Sequence, residues 1–590
     1  MRWITFFSMT FLAVATAVAR PNFLLITVDD MSCDSVGVYG CALPETTPHM
    51  DAIAASGLRF QHAHVVVGNC KPSRNVMWSG RYPHNNGVEG FYDNPDPDFP
   101  VLCDLMQDAG YFAGIRGKVT HSTPYHPYAW DADLTILDGE KQDMKNADSY
   151  YRSTKVGIAM AKAAGKPFCL MVNISDPHKP FYSGARDRNQ PSKVFLADEV
   201  PVPGFLPDHP DVRKEVALYY SSVRRADDCV GATLKALKEM GKEDDTVVMF
   251  LSDHGMPMPF AKTAVWHHST HTPWMIRWPG VTRPDSVDDE HMVSMVDILP
   301  TILDMAGIKH PEGIDGRSVV SILRGGSQAN RNYIIKEYNE NAGGGRNPMR
   351  SIQTREFLYN FNPWSNGTRV FKTATTGTAS FRAMKALAPK DEYMAKRLDL
   401  FVHGTPEELY QVSKDPDALV NLVANPEYGA VLKNLRAELD AWMVKTGDHA
   451  LDVFRARDKP ELMDAYVTHL QKEADARRTK RKGKSTSSLK LIKLVPPDTI
   501  QSGTPTTLGI RYNLPERLGA QKIHVTLKAG EKEKRMARKV EVIRGKGVST
   551  FTFDVPDMPS GASISFAAFV GETYENSLQH LKSKTFAVVK

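Results

Sequence analysis

Three short apolar runs constrain this chain more than any other feature: residues 22–28 (NFLLITV), 168–174 (FCLMVNI) and 246–251 (TVVMFL). None alternates with period two, as a strand with one wet face would. Short continuous runs of this kind suit strands covered on both faces, and such strands belong to mainly parallel sheets flanked by helices. Helical patterns lie between them, at 48–56 and 212–240. Each run ends in a polar cluster: Asp29-Asp30, Ser175-Asp176-Pro177-His178 and Ser252-Asp253-His254-Gly255. A fourth segment, 111–115, leads into Arg116-Gly117-Lys118. Open α/β sheets bind ligands beyond the carboxyl ends of their strands, so adjacent strands would bring these clusters to one place. Any one cluster is as readily a loop capping a strand; four together are harder to dismiss.

At 590 residues the chain exceeds one ordinary domain. Residues 1–19 read as an export signal: Arg2, an apolar run over 4–14, and the small-x-small site Ala17-Val18-Ala19. No other stretch reaches the roughly 20 apolar residues of a membrane span. The expected location is secreted or periplasmic, or lysosomal in a eukaryote. An α/β domain is expected over 20–340, and a smaller α+β subdomain over 341–470, with a hairpin around 349–361 and a helix over 417–445. Residues 471–488 carry a basic run, read as a solvated helix end and linker. Short alternating segments then predict a β-sandwich over 489–590, an accessory module without a catalytic cluster. The net charge of +5 permits an anionic substrate without requiring one. Nucleic acid is an unsuitable partner for an exported chain. The six cysteines are too few for a disulfide scaffold of this size, although Cys33 and Cys41 are close enough in sequence to bridge.

Asp29, Asp30 and Asp253 would be three carboxylates at neighbouring strand ends. Like charges a few ångströms apart need compensation, and a hard divalent cation supplies it. Oxygen ligands favour calcium or magnesium over zinc, with His254 in or beside the shell. Cys70-Lys71-Pro72-Ser73-Arg74 presents Pro72 and Ser73 where a helix would start. Cys70 would then face the positive end of a helix dipole, and Arg74 suits a tetrahedral oxyanion. On these grounds alone Cys70 serves equally as a plain thiolate nucleophile.

Cys-x-Pro-Ser-Arg, followed by Ser79-Gly80, resembles the signature of the type I, formylglycine-dependent sulfatases of the alkaline phosphatase superfamily. Further matches are Arg20-Pro21-Asn22, Val28-Asp29-Asp30, Thr47-Pro48-His49-Met50-Asp51, 114–118, 252–255, 273–280 (PWMIRWPG), 297–301 (DILPT), 408–410 and Asp415-Pro416. The resemblance spans residues 20 to 450 or so. It implies an alkaline-phosphatase-like sheet and one calcium ion held by Asp29, Asp30, Asp253, His254 and the modified Cys70. Many relatives carry Asn where His254 stands. It also implies that a formylglycine-generating enzyme oxidises Cys70 during export. One hydroxyl of the hydrated aldehyde would attack sulfur, with Asp253 as base, and the second would later expel sulfate. Arg74, Lys118 and Lys262 would hold the sulfate oxygens; His178 and Lys262 would meet the leaving group. His121 stands three residues after Lys118, the arrangement of the iduronate-2-sulfatase branch, and is assigned to the site on that likeness.

The spacing from Lys262 to Thr270-His271-Thr272-Pro273 also resembles that branch, whereas 257–260 resembles the heparan N-sulfatases. The mixture points to a sulfated polysaccharide, a glycosaminoglycan or an algal glycan, with His267, His268 and His271 as pocket candidates. Two other functions compete: a phosphodiesterase or phosphonate monoester hydrolase of the same superfamily, and a non-catalytic glycan-binding protein.

Overall fold

The structure is a computed structural model that describes residues 20–590 except 95, 126–127, 138, 484–490, 515–517, 531–533 and 573–576. The expected export signal at 1–19 and part of the 471–488 segment lie outside the described residues.

The central sheet has eight strands: β1 (Asn22–Asp29), β2 (Leu58–Phe60), β3 (Phe112–Arg116), β4 (Ala132–Asp133), β5 (Phe168–Pro177), β6 (Thr246–Ser252), β7 (Trp274–Arg277) and β8 (Ser286–Asp288). Their order is β8-β2-β7-β6-β1-β5-β3-β4. The three apolar runs are therefore neighbours, with β1 parallel to β5 on one side and to β6 on the other. Every residue of β1 is buried. Leu24, Ile26 and Val28 enter one core, and Phe23 and Leu25 enter the other. Two apolar environments, one on each face, explain why the run lacks alternation. Full burial of side chains of this kind contributes about 1.5–3 kcal/mol each.

Helices cover both faces. Helix α1 (Cys70–Ser79) sends Met77 and Trp78 into the second core. Helices α2 (Ala147–Ala163) and α3 (Pro210–Glu239) line the first. A second, antiparallel sheet follows: β9 (Tyr333–Glu340), β10 (Arg346–Thr354), β11 (Leu358–Phe361) and β12 (Glu407–Tyr410). The expected hairpin is the β10–β11 pair.

Helix α5 (Gly429–Thr446) packs on this sheet, after the shorter helix α4 (Ala379–Leu387). The helix expected over 417–445 thus starts later than its leucines suggested. Asp415 accepts the N–H groups of Leu419 and Val420, and Ala418 is left-handed at φ 53°, which holds that stretch as a turn.

Helix α6 (Pro460–Gly483) runs through most of the basic segment. Arg477 is not merely solvated: it reaches Glu340 at 2.6 Å and lies over the Tyr92 ring. Beyond it, nine described strands between Ile492 and Val589 form two sheets around one shared core that includes Ile510, Phe551, Val525 and Phe566. All six cysteines are free, Cys33 and Cys41 included. Among the described residues no helix is long and apolar enough to cross a membrane.

Candidate active site

The carboxyl ends of β1, β5 and β6 meet the start of α1. The β1–β5 register shifts between Val28 and Asp29, so Asp29 stands opposite Pro177. Such an irregularity re-aims the side chain beyond it. Asp30 then turns left-handed at φ 70°, a conformation Asp tolerates better than most residues. Asp253 leaves the end of β6, and its Oδ1 accepts the Asp30 N–H at 3.1 Å. Cys70 itself opens α1, two residues before the start expected at Pro72, and Asn69 Oδ1 accepts its N–H at 3.2 Å. Cys70 therefore lies at the positive end of that helix.

Arg74, one turn along, is fully buried. Its Nε donates to Asp253 Oδ2 at 3.0 Å, and its Nη1 donates to Thr27 Oγ1 at 2.8 Å and Asn173 Oδ1 at 2.6 Å. Sequence reasoning missed Thr27 and Asn173. The signal was present: both are polar residues inside otherwise apolar runs, and they are register partners. Asn173 is wholly buried within β5.

Three cations face the three carboxylates. Arg74 meets Asp253, Lys118 meets Asp29, and Lys262 Nζ lies 2.7 Å from Asp30. Burial alone would raise Asp29, but Lys118, His178 and Arg74 outweigh it and hold its pKa well below the ordinary value. Asp30 is likewise lowered, against burial, chiefly by Lys262. Asp253 goes the other way, raised by burial and by Asp29. Burial also pushes the Cys70 thiol up, which disfavours the thiolate an unmodified nucleophile would need.

Asp29, Asp30, Cys70 and His254 offer ligand atoms that all lie within 4.8 Å of one another. His254 Nδ1 sits 3.0 Å from the Gly255 carbonyl, which assigns the ring proton to that nitrogen. Its Nε2 lone pair then faces Asp30 Oδ1 at 3.1 Å and Cys70 Sγ at 3.2 Å. Burial lowers the histidine's pKa, against the charges of Asp253 and Asp30. Asp29 Oδ2 is paired with Lys118, whereas Asp29 Oδ1 is buried with Arg74 Nη2 3.9 Å away. A metal ion would fit among these two carboxylates, the imidazole and the residue-70 side chain. Asp253 lies at the edge of this group, with Oδ1 3.6 Å from His254 Nε2 and Oδ2 taken by Arg74.

His178 lies close enough that its charge bears on both Asp29 and Asp30. His121 stands beside Lys118 and Arg74; burial, then Lys118, lowers its pKa well below the ordinary value, and its Nδ1 makes no hydrogen bond. The three pocket candidates each have a protein partner. His267 bonds Gln353, His268 bonds Asp417 and His271 bonds the Gln61 carbonyl, while the rings of His267 and His271 gather around His64. Their nitrogens are engaged in holding β10, the 417 turn and the loop after β2.

The chain is similar to known proteins over most of its length. Residues 21–308 match the family described as Sulfatase, and 253–365 match N-sulphoglucosamine sulphohydrolase, C-terminal. The chain is 27% identical to an ulvan-active sulfatase of Formosa agariphila over 73% of its own length and 81% of the relative's. It is 29% identical to the N-sulphoglucosamine sulphohydrolase of Homo sapiens over 73% and 91%. Among solved structures, a phosphonate monoester hydrolase of Agrobacterium radiobacter shares the fold at TM-score 0.53 and 20% identity, covering 71% of this chain and 96% of that one. With two family matches that run together across the strand ends carrying the buried cluster, the chain belongs to the sulfatase family.

Proposed function

We propose that this protein hydrolyses sulfate esters, or N-sulfate, of a sulfated polysaccharide or oligosaccharide, with Cys70 matured to formylglycine and one calcium ion at Asp29, Asp30, Asp253 and His254. The observation that carries the reading is the buried meeting of Asp29, Asp30, Cys70 and His254 under Arg74, Lys118 and Lys262. Calcium would supply charge stabilisation and activation of an oxygen nucleophile. Maturation would replace the thiol by an aldehyde whose hydrate offers two hydroxyls, one to attack sulfur and one to release sulfate.

This chain's own side chains do the rest. Arg74 is fixed by Thr27 and Asn173, so its guanidinium needs no reorganisation as charge builds on the sulfate. Lys118 and Lys262 now neutralise Asp29 and Asp30; with a dication on those carboxylates, both ammonium groups are free to turn to the sulfate oxygens. Asp253 would receive a proton from the attacking hydroxyl. His178 would give a proton to the departing oxygen or nitrogen. The ulvan-active and N-sulphoglucosamine relatives support sulfated glycans as the substrate class. Export to the periplasm or beyond, and passage through a formylglycine-generating enzyme, belong to the same reading.

A phosphonate monoester hydrolase with the same fold keeps a second reading in view. Rates on an aryl sulfate and the matching aryl phosphate and phosphonate separate the two. Sulfate turnover should dominate in protein whose Cys70 peptide is about 18 Da lighter than the cysteine form. Dominant phosphate or phosphonate turnover rejects the sulfatase reading. An unmodified thiol in protein from the native host favours a glycan-binding protein instead.

A further inference from the structure

Gly429, Lys433, Arg436 and Asp440 follow one another along α5 at intervals of four, three and four residues, which sets them on one face of the helix. A different stripe, Leu432, Leu435, Leu439 and Met443, carries the packing against Ile352, Tyr359 and Leu409 of the second sheet. The polar stripe is free of that duty. With Phe454 and Arg457 from the segment beyond α5, it lines a surface cavity of about 440 Å3. That volume lies within the range of small-molecule sites, roughly 300–1,000 Å3. None of the lining residues belongs to the cluster around Cys70.

Cations outnumber acids here, and the acids are already engaged. Asp440 accepts Arg455 Nε on Oδ1 and Arg455 Nη2 on Oδ2, each at 2.8 Å. Glu407, at the start of β12, accepts Arg436 Nε at 2.9 Å, Arg436 Nη2 at 2.7 Å and the Tyr359 hydroxyl. Arg457 Nε stands 3.6 Å from the same Glu407 oxygen that takes Arg436 Nε, so the two guanidinium groups share one acceptor. Arg457 Nη1 donates to the Phe454 carbonyl at 3.1 Å. Among the described residues Arg436 Nη1 and Arg457 Nη2 make no hydrogen bond, and Lys433, one turn from Arg436, has no partner. Two guanidinium groups held in place, with donors to spare beside an unpaired ammonium, match the oxygens of a sulfate or carboxylate.

We propose that Lys433, Arg436 and Arg457 form a second, non-catalytic site, which binds a sulfate or carboxylate group of the polysaccharide away from the sugar whose sulfate is cut. This rests on the sulfatase reading for the polyanionic chain; the cavity supplies the place where another of its sugars is held. Long substrates then gain a grip that short ones cannot use.

The test measures binding of dextran sulfate, neutral dextran and inorganic sulfate to the full-length protein at about 0.15 M ionic strength. Wild type is compared with K433Q/R457Q and with K214Q/K238Q, a control pair of exposed lysines on α3. Arg436 is kept because it holds Glu407. Loss of the charge-assisted contacts should raise Kd for dextran sulfate about tenfold in K433Q/R457Q. The control pair should stay within about twofold of wild type, and so should kcat/KM of K433Q/R457Q on p-nitrophenyl sulfate. Thermal midpoints check folding, and K433Q alone, at an exposed position, carries the test if the double variant unfolds. Equal dextran sulfate affinity in wild type and K433Q/R457Q overturns the site, as does an equal loss in the control pair or equal binding of neutral dextran. A loss confined to inorganic sulfate overturns it too, leaving a site for the free anion only. Binding is read without turnover, so a wild type inactive on p-nitrophenyl sulfate would overturn the sulfatase reading by itself.

Discussion

His84 shows what one buried pair contributes. Burial by itself would pull its pKa down, but Glu337, with Oε2 2.7 Å from Nδ1, outweighs it and holds the imidazolium up to about 9. A folded value above the unfolded one of roughly 6.5 gives stability that is complete below that pH. It is lost as pH climbs from there through 9. The full contribution is of order 3 kcal/mol for a shift of this size. Denaturant midpoints taken between pH 6.5 and 9 should fall for wild type and fall less for His84→Gln; identical slopes would remove the pair from the account. Asn173 teaches the companion lesson at this scale. Its side chain accepts from Arg74 and donates to the Gly117 carbonyl at 2.9 Å, so one amide ties α1 to two strands. Its polarity within the apolar run 168–174 marks it for a buried partner, but not which one.

At the scale of elements, the segment after β6 must cross itself closely. A Cβ at Gly255 would collide with the His268 carbonyl and stand 2.6 Å from that of Ala261. Both are backbone atoms, so neither can swing aside as a flexible side chain would. Gly255→Ala should therefore displace His254 and Asp253 as well as destabilise the chain, by about 1–3 kcal/mol. Thermal unfolding and turnover of an aryl sulfate would both register it. Unchanged turnover would show that the loop relaxes without moving the cluster. The His267 to His271 stretch serves the same crossing: its backbone packs on Gly255 while His267 bonds Gln353 and His271 bonds the Gln61 carbonyl.

For the whole molecule, the prospective ligands come from β1, α1 and the end of β6, so the folded state alone gathers them. An ion that binds the native chain and not the unfolded one stabilises by about 2.7 kcal/mol at one hundred times its Kd. Protein stripped with a chelator should therefore unfold at lower temperature and recover a few degrees on titration with calcium, with magnesium less effective. A midpoint indifferent to both ions would remove the metal from the proposed mechanism. The β-rich C-terminal region has a core of its own, separate from the two cores of the central sheet, and every residue of the cluster precedes it.

By itself the sequence determined the middle of the central sheet, where three of the eight strands are neighbours, because strands buried on both faces are apolar almost throughout. It also determined the chemistry on offer, because Cys70, Arg74 and the aspartates are local patterns at strand ends and a helix start. The tertiary structure alone decided which groups meet. The bulge at Asp29, the left-handed Asp30 and the Thr27–Asn173 clamp on Arg74 depend on partners distant along the chain. So do the bonds of His267, His268 and His271 and the docking of Arg477 on Glu340. Local periodicity reports whether a side chain is buried; it carries no information about which distant atom it is buried against.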